Sequence, residues 1–549
     1  MSDGLAKDLC ARLDVLEAER APRNAELEEI AELMRPLRSG FFSATPKGKR
    51  RFEMIVDGTA RMAALNLASG LWGMMTNAGT AWSAWGHEDP KVLSKPEVAE
   101  FCELATMSDR SSFNGDGGGF YARSFELIWE WSTMGTGVFF VGAPPTGKIQ
   151  FATCPLLQCY IAQDHWGLVD TVYRKFRLTA RQAVQKWGGE CPAKVAGEAN
   201  KNPDRSFTFL HATEPRLDAK PYDAADNRTW PVASRYVWID DKVLIRDAGY
   251  PEFPYQVPRW ATAPGDPYGF GCGHFGLADT KMLQAQGRTV LVGAQRAIAP
   301  PVLAAEGVFG PEGIRTGPES IIEGAIDPVT GKRLVDTLDA RGDVGIGVEM
   351  IAQTRGQVRE AFLWSLMRMV NDRTMTATEV LERAEEQLKI AGPHLERGTH
   401  EWLEPMQKRV FSIKLNRGRY GDLPDAIRQD GRLAIQFNSP LARAQSLEEA
   451  RKILRSCEAS AQVANSTGDK SGLDVLDAGE ITRRVWLALD SPATLLRRPK
   501  EVRAIRRARE QAMAAEQAAT AAPGLGAAVR DLAIAGQMGA APRKAANGQ

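Results

Sequence analysis

Between Val344 and Arg417 the apolar positions recur in steps of three and four. A first stripe runs through Ile351, Thr354, Val358, Phe362, Leu366 and Met369. A polar tetrad, Asn371-Asp372-Arg373-Thr374, interrupts it. A second stripe runs through Leu381, Ala384, Leu388, Ala391, Leu395, Trp402, Met406, Val410 and Ile413. This spacing lays one buried face along a helix, so it predicts a helix, a short break and a second helix of about forty residues. At ~1.5 Å per residue the second helix would be roughly 60 Å long. That is more than one compact globule accommodates, and it suits a strut in a large assembly.

The same reading extends to the rest of the chain. Residues 4–38 carry an amphipathic helical pattern, with Leu9, Leu13, Leu16, Leu27, Ile30 and Leu33 on one side and Pro22 and Pro36 as punctuation. Asp57 is placed as the N-cap of a helix from Gly58 to about Met75, with Met62, Leu65, Leu67, Leu71 and Trp72 inward. Further helices are predicted from Pro96 to about Met107 and from Phe120 to about Met134, with a loop at Gly115–Gly119 between them. From Gly137 the period becomes two. Val138–Val141, Ile149–Phe151 and Val169–Phe176 read as strands, then a short helix capped by Thr179, then strands at Ser206–His211 and Ser234–Asp240. A helix from about Phe275 to Ala297 follows, then a Gly-rich stretch over 302–340 with a strand-like Ser320-Ile321-Ile322. Pro440–Gly472, Ile481–Leu489 and Lys500–Ala521 read as helices. Pro523–Gln549 is rich in Ala and Gly, and reads as a flexible tail. The expected class is α+β, mainly α.

Composition narrows the function classes. A chain of 549 residues holds several domains. Lys and Arg total 69 against 68 acidic residues, a net charge of +1, which argues against a strongly basic nucleic-acid coat. A surface that lets DNA pass without gripping it stays open. The seven cysteines are scattered, and only Cys154 and Cys159 lie close together. No disulfide framework, metal or cofactor is expected, and a reducing cytosol is the expected setting. His394 and His400 lack metal-ligand spacing. No run approaches the ~20 apolar residues of a membrane span, so no membrane partner is expected.

Candidate chemistry is sparse. Gly142-Ala143-Pro144-Pro145-Thr146-Gly147-Lys148 fits GxxxxGK after an apolar strand. A phosphate-binding loop needs Ser or Thr next, and then a helix. Here Ile149 stands in that place and a strand pattern follows, so the segment reads as a β-hairpin turn. No catalytic constellation emerges, and the chain is not expected to be an enzyme. The tryptophans Trp72, Trp82, Trp85, Trp129, Trp131, Trp364 and Trp402 read first as core and second as interface anchors. In the basic run after Arg497, Arg503, Arg506 and Arg507 share one helix face. A solvated face is the plain reading, and contact with DNA or an acidic partner the functional one.

The order of elements resembles the portal, or head-to-tail connector, proteins of short-tailed bacteriophages. The resemblance covers most of residues 25–510. It is carried by Met34-Arg35-Pro36, by Asp57 to Leu71, and by Arg110-Ser111-Ser112-Phe113 ahead of Gly135-Thr136-Gly137. It continues in Asp164-His165-Trp166-Gly167-Leu168-Val169-Asp170, leading to Arg174 and Thr179-Ala180-Arg181-Gln182. Met375 to Val380, Gly392-Pro393, Glu404 to Arg409 and Ser439 to Gln445 complete it. The sequence departs from the family pattern at Trp82-Ser83-Ala84-Trp85 and in the loop at 115–119.

The resemblance implies a portal fold assembled as a ring, dodecameric in this family. The wing would be residues 1–255 with a long helix at 377–440, kinked near Gly392-Pro393. A two-helix stem would occupy 256–298 and 346–370, with a small α/β clip at 299–345. A channel loop at 371–376 would bring Arg368, Asn371, Asp372 and Arg373 to passing DNA. The crown would be 441–522, with Arg503, Arg506 and Arg507 as its DNA-contact candidates, and 523–549 its flexible tail. Implied partners are other copies of the chain, double-stranded DNA, a terminase motor, tail adaptor proteins, and major capsid and scaffolding proteins. The implied place is the portal vertex of the virion, after synthesis in the host bacterial cytoplasm. The rival readings are another capsid or tail-adaptor protein, and a nucleotide-using packaging enzyme.

Overall fold

A computed structural model of the chain describes residues 2–38, 40–41, 52–53, 55–93, 95–115, 119–144, 147–216, 223, 226–304, 325–337, 344–367, 391–430, 432–437, 440–468, 476–488 and 499–521. Two compact units divide it. The first is Met1–Ala84, Ala105–Asp422 and Phe437–Leu441, and the second is Trp85–Leu104, Leu423–Gln436 and Ala442–Gln549.

In the first unit, helix α1 (Ser2–Met34) serves two cores. Its first half buries Leu9, Leu13 and Leu16 against a sheet, and its second half buries Leu27, Ile30 and Met34 in the large helical core. The helix runs through Pro22, where the sequence predicts punctuation. Between the halves, the buried Arg20 donates to the main-chain oxygens of Leu156 and Cys159 at 2.8 Å and of Leu157 at 3.1 Å. The guanidinium also covers the Tyr160 ring at 4.0 Å. Helix α2 (Thr59–Met75) and helix α3 (Phe120–Met134) pack together in the large core. Leu67 and Leu71 are buried as predicted, but Met62 faces solvent. The helix Pro96–Asn114 runs past its predicted end at Met107.

The strands form two larger sheets. Strands β1 (Val138–Gly142) and β2 (Gln150–Cys154) make an antiparallel hairpin. Next come β3 (Cys159–Gln163) and β4 (Val169–Thr179), and then helices α4 (Ala180–Trp187) and α5 (Ala193–Lys201). Thr179 caps α4 as the sequence predicts, and Gln182 completes a capping box. Strands β5 (Ser206–Pro215), β6 (Val232–Trp238) and β7 (Val243–Tyr250) complete a five-stranded antiparallel sheet in the order β3-β4-β5-β6-β7. One face takes α1, and the other takes α4 and α5 around Trp187, Phe209 and Trp238. Strand β8 (Tyr255–Gln256) joins the smaller sheet beside β1. The pattern missed β3, β7, β8 and α5.

Helix α6 (Leu277–Ile298) and helix α7 (Val344–Ala361) form an antiparallel pair. Between them lies a small ladder of β9 (Val302–Ala304) and β10 (Val335–Thr337). The predicted strand at Ser320–Ile322 falls outside the described residues. Helix α7 stops at Ala361, earlier than its apolar stripe suggests. Phe362 stays in the core while Leu363 turns the chain with a φ of 52°, and a short helix, Trp364–Met367, follows. The polar break at 371–374 is outside the described residues. Residues 391–398 are helical and lead into a π turn at Thr399–Leu403, then helix α8 (Glu404–Asn416). The described irregularity is therefore this π turn, downstream of Gly392-Pro393. It lets Trp402 and Leu403 enter the core while Glu401 turns to Arg259, pairing its Oε1 with Nη2 at 2.7 Å.

In the second unit, the longest described helices are α9 (Pro440–Thr467), α10 (Ala478–Ala488) and α11 (Pro499–Ala521). They lie where the sequence predicts them.

Candidate assembly and channel surfaces

The paired helices α6 and α7 have a rooted end and a projecting end. At the root, Leu277, Thr280, Leu283 and Gln284 of α6 are buried, as are Ile351, Thr354 and Val358 of α7. Gln284 clamps the chain entering α2. Its Oε1 accepts from the main-chain N–H of Val56 at 2.8 Å and of Asp57 at 3.0 Å, and its Nε2 donates to the Asp57 oxygen at 2.7 Å. Asp57 in turn reaches both helices it must join. Its Oδ1 accepts from the Thr59 N–H at 2.8 Å, and its Oδ2 from Arg355 Nε of α7 at 2.8 Å. The N-cap position itself is Gly58, so Asp57 caps α2 from one residue further out than predicted. Burial pushes the Asp57 carboxyl up, but the bonds from Thr59 and Arg355 outweigh it and hold it below its ordinary value.

Beyond the root no side chain of α6 is buried, and Gly347 of α7 lies against Val290 of α6. A Cβ on Gly347 would sit 2.6 Å from Val290 Cγ2, so only glycine allows that approach. Around this slender pair, Leu291, Val292, Ile346, Val348 and Met350 are all exposed, and Ile298 is 86% exposed. A two-helix projection with apolar residues open to water calls for neighbours.

The tryptophans answer mostly to the core. Trp82, Trp85, Trp131 and Trp402 are buried, and Trp72, Trp129 and Trp364 pack against the large cluster. The exception is Trp166, absent from that set, which is 79% exposed at the tip of the β3–β4 hairpin.

The predicted channel residues Arg368, Asn371, Asp372 and Arg373 lie outside the described residues. Of the crown candidates, Arg503 belongs to α11 but its side chain is also outside them. Arg506 and Arg507 are exposed on α11. A Cβ on Gly479 would lie 3.0 Å from Arg506 Nη2, so Arg506 rests on the first turn of α10.

The GxxxxGK segment is a hairpin turn. Gly142 pairs with Gln150 across it, and a strand, not a helix, follows. Arg417 donates to the main-chain oxygens of Gly147 at 2.8 Å and Pro144 at 3.1 Å. The loop thus offers carbonyls to a cation, the reverse of the N–H cradle a phosphate needs.

The chain is mainly helical, with a rooted two-helix pair whose distal half exposes apolar residues and an antiparallel sheet in the same unit. The chain belongs to the bacteriophage head to tail connecting proteins, whose family model matches residues 6–496. It is 27% identical over 465 residues to the portal protein of Salmonella phage epsilon15, covering 81% of each chain. It is 26% identical over 460 residues to a probable portal protein of Bordetella phage BPP-1, covering 80% of each. No described helix is long and apolar enough to cross a membrane.

Proposed function

We propose that this connector is the portal of a phage capsid, a closed ring at one vertex through which double-stranded DNA is packaged and later ejected. The observation that carries the reading is the rooted pair α6–α7 with its exposed apolar distal half. Head-to-tail packing of such pairs closes a ring and buries those residues. A dodecamer is the expected size. The α6–α7 pair is the stem, 299–345 the clip and 441–522 the crown. The wing is 1–255 with 377–440, and the 371–376 loop faces the axis with Arg368, Asn371, Asp372 and Arg373 beside the DNA. Mixed charge there lets a phosphate backbone slide, where a basic ring would hold it. The chain performs no chemistry of its own. A terminase motor supplies the energy, tail adaptors dock after filling, and capsid and scaffolding proteins surround the ring in the virion.

Mass photometry of the purified protein should show one large discrete oligomer, and a density map should place α6 and α7 around a central channel. A stable monomer at micromolar concentration would sink the reading, as would a map with this pair on the outer rim.

A further inference from the structure

The five-stranded sheet carries a polar row that the connector function does not use. Arg174 of β4 pairs with His211 of β5, His211 with Tyr236 of β6, and Tyr236 with Arg246 of β7. Side chains alternate along a strand. Tyr173, Leu210 and Val237, each one position away from a row member, pack under α1. The row therefore faces the opposite side, where α4 lies. From α4, Lys186 places its Nζ 4.6 Å from the Phe176 ring, 4.9 Å from Trp187 and 4.4 Å from Tyr236. The Arg174 guanidinium lies against the same Phe176 ring at 5.1 Å. Lys186 and Arg246 reach solvent and Arg174 is half-buried, while His211 is buried.

His211 is buried and its ring nitrogens are both partnered. Its Nδ1 meets Tyr255 Oη at 2.7 Å, its Nε2 meets Ser234 Oγ at 3.0 Å, and its ring stacks on Tyr236 at 4.2 Å. Burial, reinforced by the Lys186 and Arg174 charges, holds it well below its ordinary pKa, so it stays neutral.

The charges do not balance. Arg246 is paired with Glu190 at 2.6 Å. Arg174 donates only to the neutral Gln158 Oε1, at 3.3 Å, and Lys186 has ring contacts alone; neither has a carboxylate partner among the described residues. Crowding by protein, and then the Arg174 and Arg246 charges, push the Lys186 amine down to about 8. Two neighbouring cations without counter-charge are costly unless an anion joins them.

We propose that this face of the sheet binds a phosphate group between Arg174 and Lys186, with Arg246 beside them. The two unmatched positive charges fit a doubly charged oxyanion better than a single carboxylate. A guanidinium and an ammonium supply the donors that phosphate accepts from.

The test is competitive acylation of amines on the full-length assembled protein, read at Lys186 by peptide mass spectrometry across pH. Without phosphate, Lys186 should titrate near 8. Millimolar inorganic phosphate at constant ionic strength should raise that midpoint by about one unit and slow labelling at pH 8 roughly fivefold. Acetate at the same ionic strength should do neither. Equal protection by acetate, or none by phosphate, would overturn the site. A short duplex in place of phosphate then identifies the source: protection assigns it to a nucleic-acid backbone, and lack of protection to free phosphate. Arg174→Gln should raise the phosphate concentration needed about tenfold. The exposed Arg246→Gln, which does not threaten folding, should weaken protection as well. If phosphate protects both variants as it does the parent, the proposal fails.

Discussion

Replacing Gln284 by Met tests whether the clamp at the base of α6 holds the paired helices to the rest of the unit. The substitution keeps the side chain's length and removes its polar end. Three hydrogen bonds to the main chain at Val56 and Asp57 disappear, all in a site where Gln284 is 5% exposed and Asp57 is 8% exposed. Each lost bond costs about 1 kcal/mol net, and more where the abandoned group finds no water, so the root should weaken by ~3 kcal/mol. That corresponds to about a hundredfold more frequent local opening. Hydrogen exchange followed by mass spectrometry is the fitting assay, because a long chain of two units rarely unfolds reversibly. Peptides spanning 55–60 and 281–288 should exchange about a hundredfold faster. Peptides from β4 and β5, which do not touch the clamp, serve as the internal reference. Unchanged protection at the root would refute the reasoning, and uniform loss everywhere would show that Gln284 supports the whole unit instead.

Gly347→Leu should drive a side chain into Val290 and destabilise the helix pair by about 1–3 kcal/mol, seen as a lower melting temperature and poorer ring yield. The Asp57 carboxyl is depressed in the folded chain, so its contribution is full above the ordinary carboxylate range and is lost as pH falls through the lower folded value. Exchange at the root should therefore accelerate below about pH 4, and Asp57→Asn should remove that pH dependence. Neutralising Arg503, Arg506 and Arg507 together should leave rings intact but reduce DNA retention in filled heads; no change would return this face to plain solvent contact. Shortening 371–374 should spare rings and empty heads while impairing passage of DNA, and normal packaging would place the loop off the axis.

The sequence was readable where one physical rule acted alone. The cap at Thr179, the buried positions Ile351, Thr354 and Val358 of α7 and the turn between β1 and β2 follow from local chemistry, and each stands where it was expected. The failures came where tertiary contacts override local preference. Pro22 does not break α1, because the helix is held in two cores on either side of it. Helix α7 ends at Ala361 although Phe362 is buried as its stripe predicts, because Leu363 turns the chain with a positive φ that periodicity does not signal. Met62 looked inward on the pattern, yet α2 turns that position to water. The clamp was half legible: Asp57 announced a helix start, but nothing near Gln284 or Arg355 signals that they meet it. The charged row on the sheet was illegible for the same reason, since register alone unites residues as distant as Arg174 and Arg246.

Arg20 has a mechanical meaning. Its three bonds to the main chain between Leu156 and Cys159 tie α1 to the segment that joins the two sheets. Because the acceptors are carbonyls gripped by a buried charge, peeling that segment from α1 would cost several kcal/mol, roughly 1.5–3 for each bond. A load applied to the five-stranded sheet therefore passes straight into the helical core along α1, with little slack at the joint. The sheet and core of this unit should move together under load, and hydrogen bonds of this kind, from a buried charge, are not found along the exposed distal half of α6 and α7 among the described residues.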